Sequence, residues 1–164
     1  MNAVLASRVV STPLGPLVLA ATGEALVSIR FDDAADPDRG PVMTNPALDR
    51  AAAWIDRYFE GPAPAFDVPL ASAGTPFQRG VWRMLASIEP GTTITYADAA
   101  RRLGLPTHVR AVAAAIARNP WAIAVPCHRV VGQRGALTGY AYGIARKRAL
   151  LELEARGAVA RRAA

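Results

Sequence analysis

The apolar periodicity of this chain changes once, near residue 70, and that change limits the folds open to it. Before it, apolar residues come in short runs separated by turn formers. Residues 4–10 and 17–20 flank Thr12-Pro13-Leu14-Gly15-Pro16, and Thr22-Gly23-Glu24 precedes a third run, residues 26–31. Proline presets φ and glycine admits φ values closed to other residues, so both breaks read as turns and the region as a β-meander. An acidic loop over residues 32–41 follows. Asn45-Pro46 then has the form of a helix start, with a side-chain cap and proline in the first turn. Leu48, Ala51, Ala52, Ile55, Tyr58 and Phe59 recur at helical spacing until Gly61-Pro62-Ala63-Pro64.

From Thr75 the period is mainly helical. Thr75-Pro76-Phe77-Gln78 matches a capping box, and Phe77, Val81, Met84, Leu85 and Ile88 make one apolar stripe that Glu89-Pro90-Gly91 stops. Thr95-Tyr96-Ala97-Asp98 caps a shorter helix that Gly104 is placed to end. Thr107 is placed to cap a third, residues 108–118, which stops at Asn119 because the residue before Pro120 is driven out of the α region. Two short helices joined by Gly104-Leu105-Pro106 read as a helix-turn-helix, although short helix pairs are common. The run Trp121-Ala122-Ile123-Ala124-Val125 reads as a buried strand, and residues 144–156 as a terminal helix before Gly157. The expectation is an α/β protein in two parts: strands with a helix over residues 1–70, and a mainly helical, winged-helix-like part over residues 71–164.

Charge follows the same division. Residues 1–70 hold five arginines against nine acids, a balance of −4, whereas residues 71–164 hold thirteen arginines and Lys147 against four acids, +10. A basic half points to a polyanionic partner. A GC-rich genome would also yield an Ala- and Arg-rich chain with one lysine, so charge alone leaves both readings open. The third helix sharpens the question. Arg110 is followed by Ala111, Ala113, Ala114, Ala115 and Ala117. Alanine favours helix and tight packing; it also lets a helix come close to DNA while one arginine projects. The helix offers few polar side chains to base edges, so sequence-specific readout in the major groove is not expected. No run reaches the ~18 apolar residues of a membrane span, and Met1-Asn2-Ala3-Val4 lacks a charged leader. The expected location is the cytoplasm.

Cys127 is the single cysteine, which excludes an internal disulfide and an internal resolving thiol. With only His108 and His128 besides, a structural zinc site is not expected, and no metal is assigned. A lone cysteine in apolar surroundings is commonly an inert small hydrophobe. Against that stands His128, able to accept the thiol proton. In an extended strand adjacent side chains face opposite ways, so direct contact would need a turn, and a bridging water is the easier geometry. A histidine base needs an orienting partner. Glu154 shares the apolar stripe of Leu150 and Leu151, while Glu152 is spaced for exposed ion pairs with Arg148 and Arg156; Glu154 is therefore the candidate.

Pro126-Cys127-His128-Arg129-Val130, taken with Thr75-Pro76-Phe77-Gln78, Tyr96, Arg110-Ala111-Val112, Asn119-Pro120, Thr138-Gly139-Tyr140, Lys147 and Glu154, resembles the O6-alkylguanine-DNA alkyltransferases, also called methylated-DNA–protein-cysteine methyltransferases. The agreement covers about 80 residues; Leu14-Gly15-Pro16-Leu17 adds a weaker likeness to the family's RNase H-like amino-terminal domain. The resemblance implies direct-reversal DNA repair in a single turnover without a cofactor. Cys127 becomes the alkyl acceptor, His128 its base through water, Glu154 the imidazole's holder and Asn119 the organiser of the turn before it. Tyr96 donates toward guanine N3 as charge develops.

The resemblance further implies that the damaged nucleotide is flipped out of double-stranded DNA, that Arg110 fills the vacated stack, and that Thr95, Ala111, Ala114 and Arg118 share a minor-groove face with little sequence preference. Pro126, Val130, Tyr140, Ala141, Tyr142 and Lys147 would form the substrate pocket, in a protein monomeric in solution. Two positions depart from the pattern: Tyr142 stands where many members carry Gly, implying a narrower mouth, and Ala141 replaces a hydroxyl residue, leaving only backbone to contact O6. O4-alkylthymine is not separated from O6-alkylguanine as substrate. Three other readings stand beside this one: a non-catalytic binder of alkylated DNA, a winged-helix regulator, and a thiol hydrolase that turns over.

Overall fold

A computed structural model of the chain describes residues 5–38, 44–71 and 73–163. Val4 of the expected first strand and the end of the expected acidic loop, residues 39–41, lie outside them. The protein forms two compact units, one made by the chain up to Ala73 together with Pro120–Ala122, the other by Gly74–Asn119 and the chain from Ile123 onward.

The first unit is built on the meander. Strands β1 (Leu5–Val10), β2 (Leu17–Thr22) and β3 (Ala25–Phe31) pair antiparallel in sequence order. Alternation buries Leu17, Leu19 and Ala21 of β2, and a register shift opposite Ala20 and Ala21 puts both Leu26 and Ile29 of β3 among the fully buried residues. Helix α1 (Pro46–Glu60) starts where Asn45 Oδ1 accepts from the backbone of Ala47 and Leu48 and Asn45 Nδ2 donates to Gly23 O, 2.8 Å away. It buries Leu48, Ala51, Trp54, Ile55 and Tyr58. Pro120–Ala122 belong here as well. Ile29 N donates to Pro120 O and Ala122 N to Ile29 O, both at 2.9 Å, and the Trp121 indole donates to Leu26 O.

The second unit begins with α2 (Pro76–Ala86), whose capping box between Thr75 and Gln78 is present in both directions. Its buried residues are Val81, Trp82 and Leu85; the expected stripe residue Phe77 is 39% exposed. Trp82 takes the inward position instead, because its indole N–H reaches Ala115 O at 2.9 Å. Strand β4 (Ile94–Thr95) pairs in parallel with β5 (Val130–Val131). Helix α3 (Tyr96–Arg102) ends as expected at Gly104. That residue sits at φ +72 and Leu105 N donates to Ala100 O, the wrap-around closure that a left-handed residue permits. Helix α4 spans Val109–Ala117. Its N-cap is His108, not Thr107, since His108 N already donates to Leu105 O in the preceding turn.

Two further expectations are corrected. Residues 121–125 are not a strand: only Trp121 makes a bridge, to Ile29, and the chain then turns with Ile123 at φ +68. The terminal helix α5 runs Ile144–Ala163, past Gly157. One glycine costs a helix only about 1 kcal/mol, and Gly157 lies on the buried side, where packing outweighs that penalty.

Candidate active site

The segment that presents Cys127 is shaped by Asn119. Its backbone N–H closes α4 on Ile116 O, and its side-chain Nδ2 donates to Val125 O at 2.7 Å, folding residues 119–125 back on themselves. Cys127 N then donates to Val125 O, Arg129 N to Pro126 O and Val130 N to Cys127 O. Cys127–Arg129 is thus a tight 3₁₀ turn, the turn that an extended reading of these residues lacked.

His128 is fully buried, and its Nε2 lies 2.8 Å from Glu154 Oε1. An ionised carboxylate only accepts hydrogen bonds, so Nε2 carries a hydrogen, and in the neutral ring Nδ1 is then the lone-pair nitrogen. Nδ1 is buried without a protein partner. Burial holds the imidazole pKa below its ordinary value despite the pull of Glu154. Glu154 itself is 2% exposed, yet its hydrogen bonds to His128 and Arg129 outweigh burial and hold it well below the carboxylate range. Arg129 grips it with Nε on Oε2 and Nη2 on Oε1, both at 2.8 Å, and Nη1 bonds Ile88 O. Gly91 N adds a fourth donor, at 3.3 Å. A Cβ at Gly91 would lie 2.6 Å from Ala158 Cβ and 3.1 Å from Glu154 O, so no larger residue fits against α5.

Cys127 lies on the wall of a cavity of about 500 Å³, with Tyr96, Ala113, Ile116, Asn119, Tyr140 and Tyr142 among its neighbours. Burial pushes its thiol pKa up, opposed by a hydrogen bond from Asn119 and the charge of Lys147. The cysteine is therefore a thiol at neutral pH. Tyr96 Oη shares the carbonyls of Thr138 and Gly139, each at 3.3 Å, and burial raises its pKa, which keeps it a neutral donor. Tyr140 Oη is buried without a protein partner and is also pushed up by burial. Tyr140 and Tyr142 meet edge to face, 5.6 Å between centroids.

The expected pocket residues divide. Tyr140, Ala141 and Tyr142 line the cavity, whereas Pro126, Val130 and Lys147 are buried and are not among its lining residues. Lys147 is fully buried because its Nζ donates to the carbonyls of Val130 (2.6 Å), Thr138 (2.8 Å) and Gly139 (3.2 Å). That satisfies all three of its N–H groups, and with the Val130 N–H held by Cys127 O the backbone is fixed from both sides. The expected DNA-facing residues divide too. Arg110, Ala111, Ala114 and Arg118 are exposed with Ala117 on one side of α4, an alanine strip with an arginine at each end. Thr95 is half-buried, and its hydroxyl bonds Asp98 Oδ2 at 2.6 Å as the N-cap of α3.

Sequence reasoning missed Arg129 as a member of the site, the Thr138 and Gly139 carbonyls, and the α4 wall of Ala113, Ile116 and Ala117. Arg129 stood in view beside His128, but no periodicity marks an arginine as buried.

These features define a class: a two-part α/β protein in which a helical unit carries a free cysteine on a cavity wall, a buried histidine–carboxylate pair and a small-residue helix face. The family described as 6-O-methylguanine DNA methyltransferase, ribonuclease-like domain, matches residues 5–72, and its DNA binding domain matches residues 76–156. The methylated-DNA–protein-cysteine methyltransferase of Mycobacterium tuberculosis is 45% identical over 149 residues, 90% of each chain. That of Methanosarcina acetivorans is 42% identical over 146 residues, 87% of this chain and 94% of its own. Among solved structures, M. tuberculosis O6-methylguanine methyltransferase superposes with a TM-score of 0.81 at 42% identity, covering 94% of both chains. M. tuberculosis OGT in complex with DNA gives 0.80 at 43% identity, covering 91% of this chain and 92% of that one. This chain belongs to the 6-O-methylguanine DNA methyltransferase family.

Proposed function

We propose that this protein repairs DNA by direct reversal, moving the alkyl group of O6-alkylguanine onto Cys127. Sγ attacks the alkyl carbon, the S–C bond forms as the C–O6 bond breaks, and the proton lost by the thiol is balanced by one gained by the guanine. The observation that carries this reading is the single cysteine on the cavity wall, close in sequence and fold to a buried histidine–carboxylate pair. Neutral His128 takes the thiol proton at Nδ1 through water while Glu154 steadies the ring, the arrangement by which a base activates a nucleophile. Asn119 holds the cysteine turn. Tyr96, a neutral phenol, leaves the Thr138 and Gly139 carbonyls to donate to the departing guanine, a poor leaving group as an anion.

DNA is the partner, and the exposed strip of α4 is the face offered to it. Alanines at 111 and 114 permit close approach in the minor groove, while Arg110 enters the space left by a flipped base and Arg118 meets phosphate. Residues 71–164 hold the DNA contacts and the chemistry, and residues 1–70 form the second functional part. The protein acts as a monomer in the cytoplasm. No residue regenerates the thiol, so each molecule reacts once.

Intact mass after mixing with a duplex carrying one O6-methylguanine tests this. The expected result is a gain of one methylene unit, mapped to Cys127 and saturating at one per molecule. Tight binding without mass gain would leave a damage-recognition protein, and continued turnover would leave a hydrolase.

A further inference from the structure

Four charged or ionisable groups meet in the interior behind the cavity, and the chemistry above uses only two of them. Glu154 and His128 have roles; Arg129 and Lys147 have none. Lys147 is explained by the three carbonyls it holds. Arg129 is not: orienting the ring takes only the contact of Glu154 Oε1 with His128 Nε2, whereas the guanidinium holds both carboxylate oxygens.

We infer that Arg129 is a positioning residue for the alkyl transfer: its two-point grip on Glu154 neutralises that carboxylate, so that His128 stays a neutral ring with its lone pair on Nδ1. The inference rests on the alkyl-transfer reading of Cys127. Both oxygens of Glu154 are occupied by the guanidinium at 2.8 Å, and Oε1 is shared with His128 Nε2. A planar fork that matches a carboxylate edge fixes the direction of the remaining lone pair as well as its charge. The third arm of Arg129, to Ile88 O, anchors the group from α2's side.

Without Arg129, Glu154 would be a buried anion hydrogen-bonded to the imidazole with no guanidinium to neutralise it. The cheapest way to neutralise it would be to protonate His128, giving an imidazolium with hydrogens on both nitrogens. That ring could not take the thiol proton. The charged groups facing His128 are Glu154, which favours its protonation, and Arg129 and Lys147, which oppose it. Arg129 is thus the cation that both opposes a charge on the ring and removes the reason for one.

Two histidines make the test direct. In protein labelled with ¹⁵N at histidine, His128 should show the Nε2–H tautomer of a neutral ring at pH 7, with exposed His108 as the comparison within the same molecule. In Arg129→Met the His128 titration should rise by about one pH unit or more. The acid limb of single-turnover methyl transfer should move to higher pH by the same amount, with the rate on the plateau above it kept. Arg129→Lys keeps the charge and should leave His128 neutral at pH 7 even where the fold is less stable. Should Arg129→Met not fold, the wild-type tautomer and Arg129→Lys still decide. A wild-type His128 already charged at pH 7, or carrying its hydrogen on Nδ1, overturns the inference, as does a folded Arg129→Met whose His128 and acid limb do not move. Loss of the wild-type mass gain would instead overturn the alkyl-transfer reading.

Discussion

At the scale of single residues, Tyr142 is the side chain we expect to set what the cavity admits. It lies on the cavity wall with Tyr140, the two rings edge to face, so neither turns freely without the other. A methyl group adds little volume to guanine, whereas a benzyl group must pass or displace these rings. We expect transfer from O6-benzylguanine to be slower than from O6-methylguanine, and Tyr142→Gly to speed the benzyl reaction selectively, about tenfold. Rates on the two substrates check this, and an unchanged benzyl rate in the variant would remove Tyr142 as the gate. The residue scale is also where the sequence was most and least legible. Cys127, His128 and Glu154 could be singled out because a lone thiol, an adjacent base and a carboxylate on an apolar stripe each stand out locally. Arg129 and the carbonyls under Lys147 could not, because what gives them meaning is a partner far along the chain.

At the scale of elements, helix α4 carries two faces that alanine makes possible. Ala113, Ile116 and Ala117 wall the cavity, while Arg110, Ala111, Ala114, Ala117 and Arg118 are exposed along one side. If that side meets DNA closely, a larger acidic residue in its middle should repel phosphate and hold the helix away. Ala114→Glu should weaken duplex binding at least tenfold while shifting the melting temperature little, since Ala114 is exposed and glutamate suits a helix. Fluorescence anisotropy with undamaged duplex, beside a thermal melt, separates the two. Equal affinity in the variant would move the DNA-facing surface elsewhere. Element boundaries were legible where caps announce them, as at Asn45, Thr75, Thr95 and Gly104. They were not legible at residues 121–125. There an apolar run of strand-like composition is bent by a side chain outside it, Asn119 bonding Val125 O, and by Ile123 in a left-handed conformation that costs a β-branched residue about 1–2 kcal/mol. The length of α5 is hidden in the sequence for a related reason. Its buried line runs Lys147, Leu150, Glu154 and Gly157, so two of the four inward residues are charged and a third is the glycine that suggested an end.

At the scale of the whole molecule, those interior charges tie stability to pH in a fixed direction. Glu154 has a folded pKa held well below its ordinary value, so its contribution is complete above the unfolded pKa near 4.5 and is lost as pH falls toward the folded one. His128 is a base whose folded pKa is also depressed, by burial. Below its unfolded value of about 6.5, the unfolded chain takes up a proton that the folded chain refuses, so folding weakens as pH falls through that value. Both groups therefore act with the same sign, in two windows: His128 from about pH 6.5 downward, Glu154 from about pH 4.5 downward. A single group of this kind contributes a slope of at most about 1.4 kcal/mol per pH unit. Chemical denaturation between pH 8 and pH 5 should show stability level at the alkaline end and declining below about pH 6.5. His128→Gln, which has no proton to gain, should be less stable at pH 8 but should lose most of the decline between pH 6.5 and pH 5. A wild-type profile that is flat through this interval would mean that His128 is as easily protonated folded as unfolded. The base assigned to the alkyl transfer would then be half protonated already at about pH 6.5.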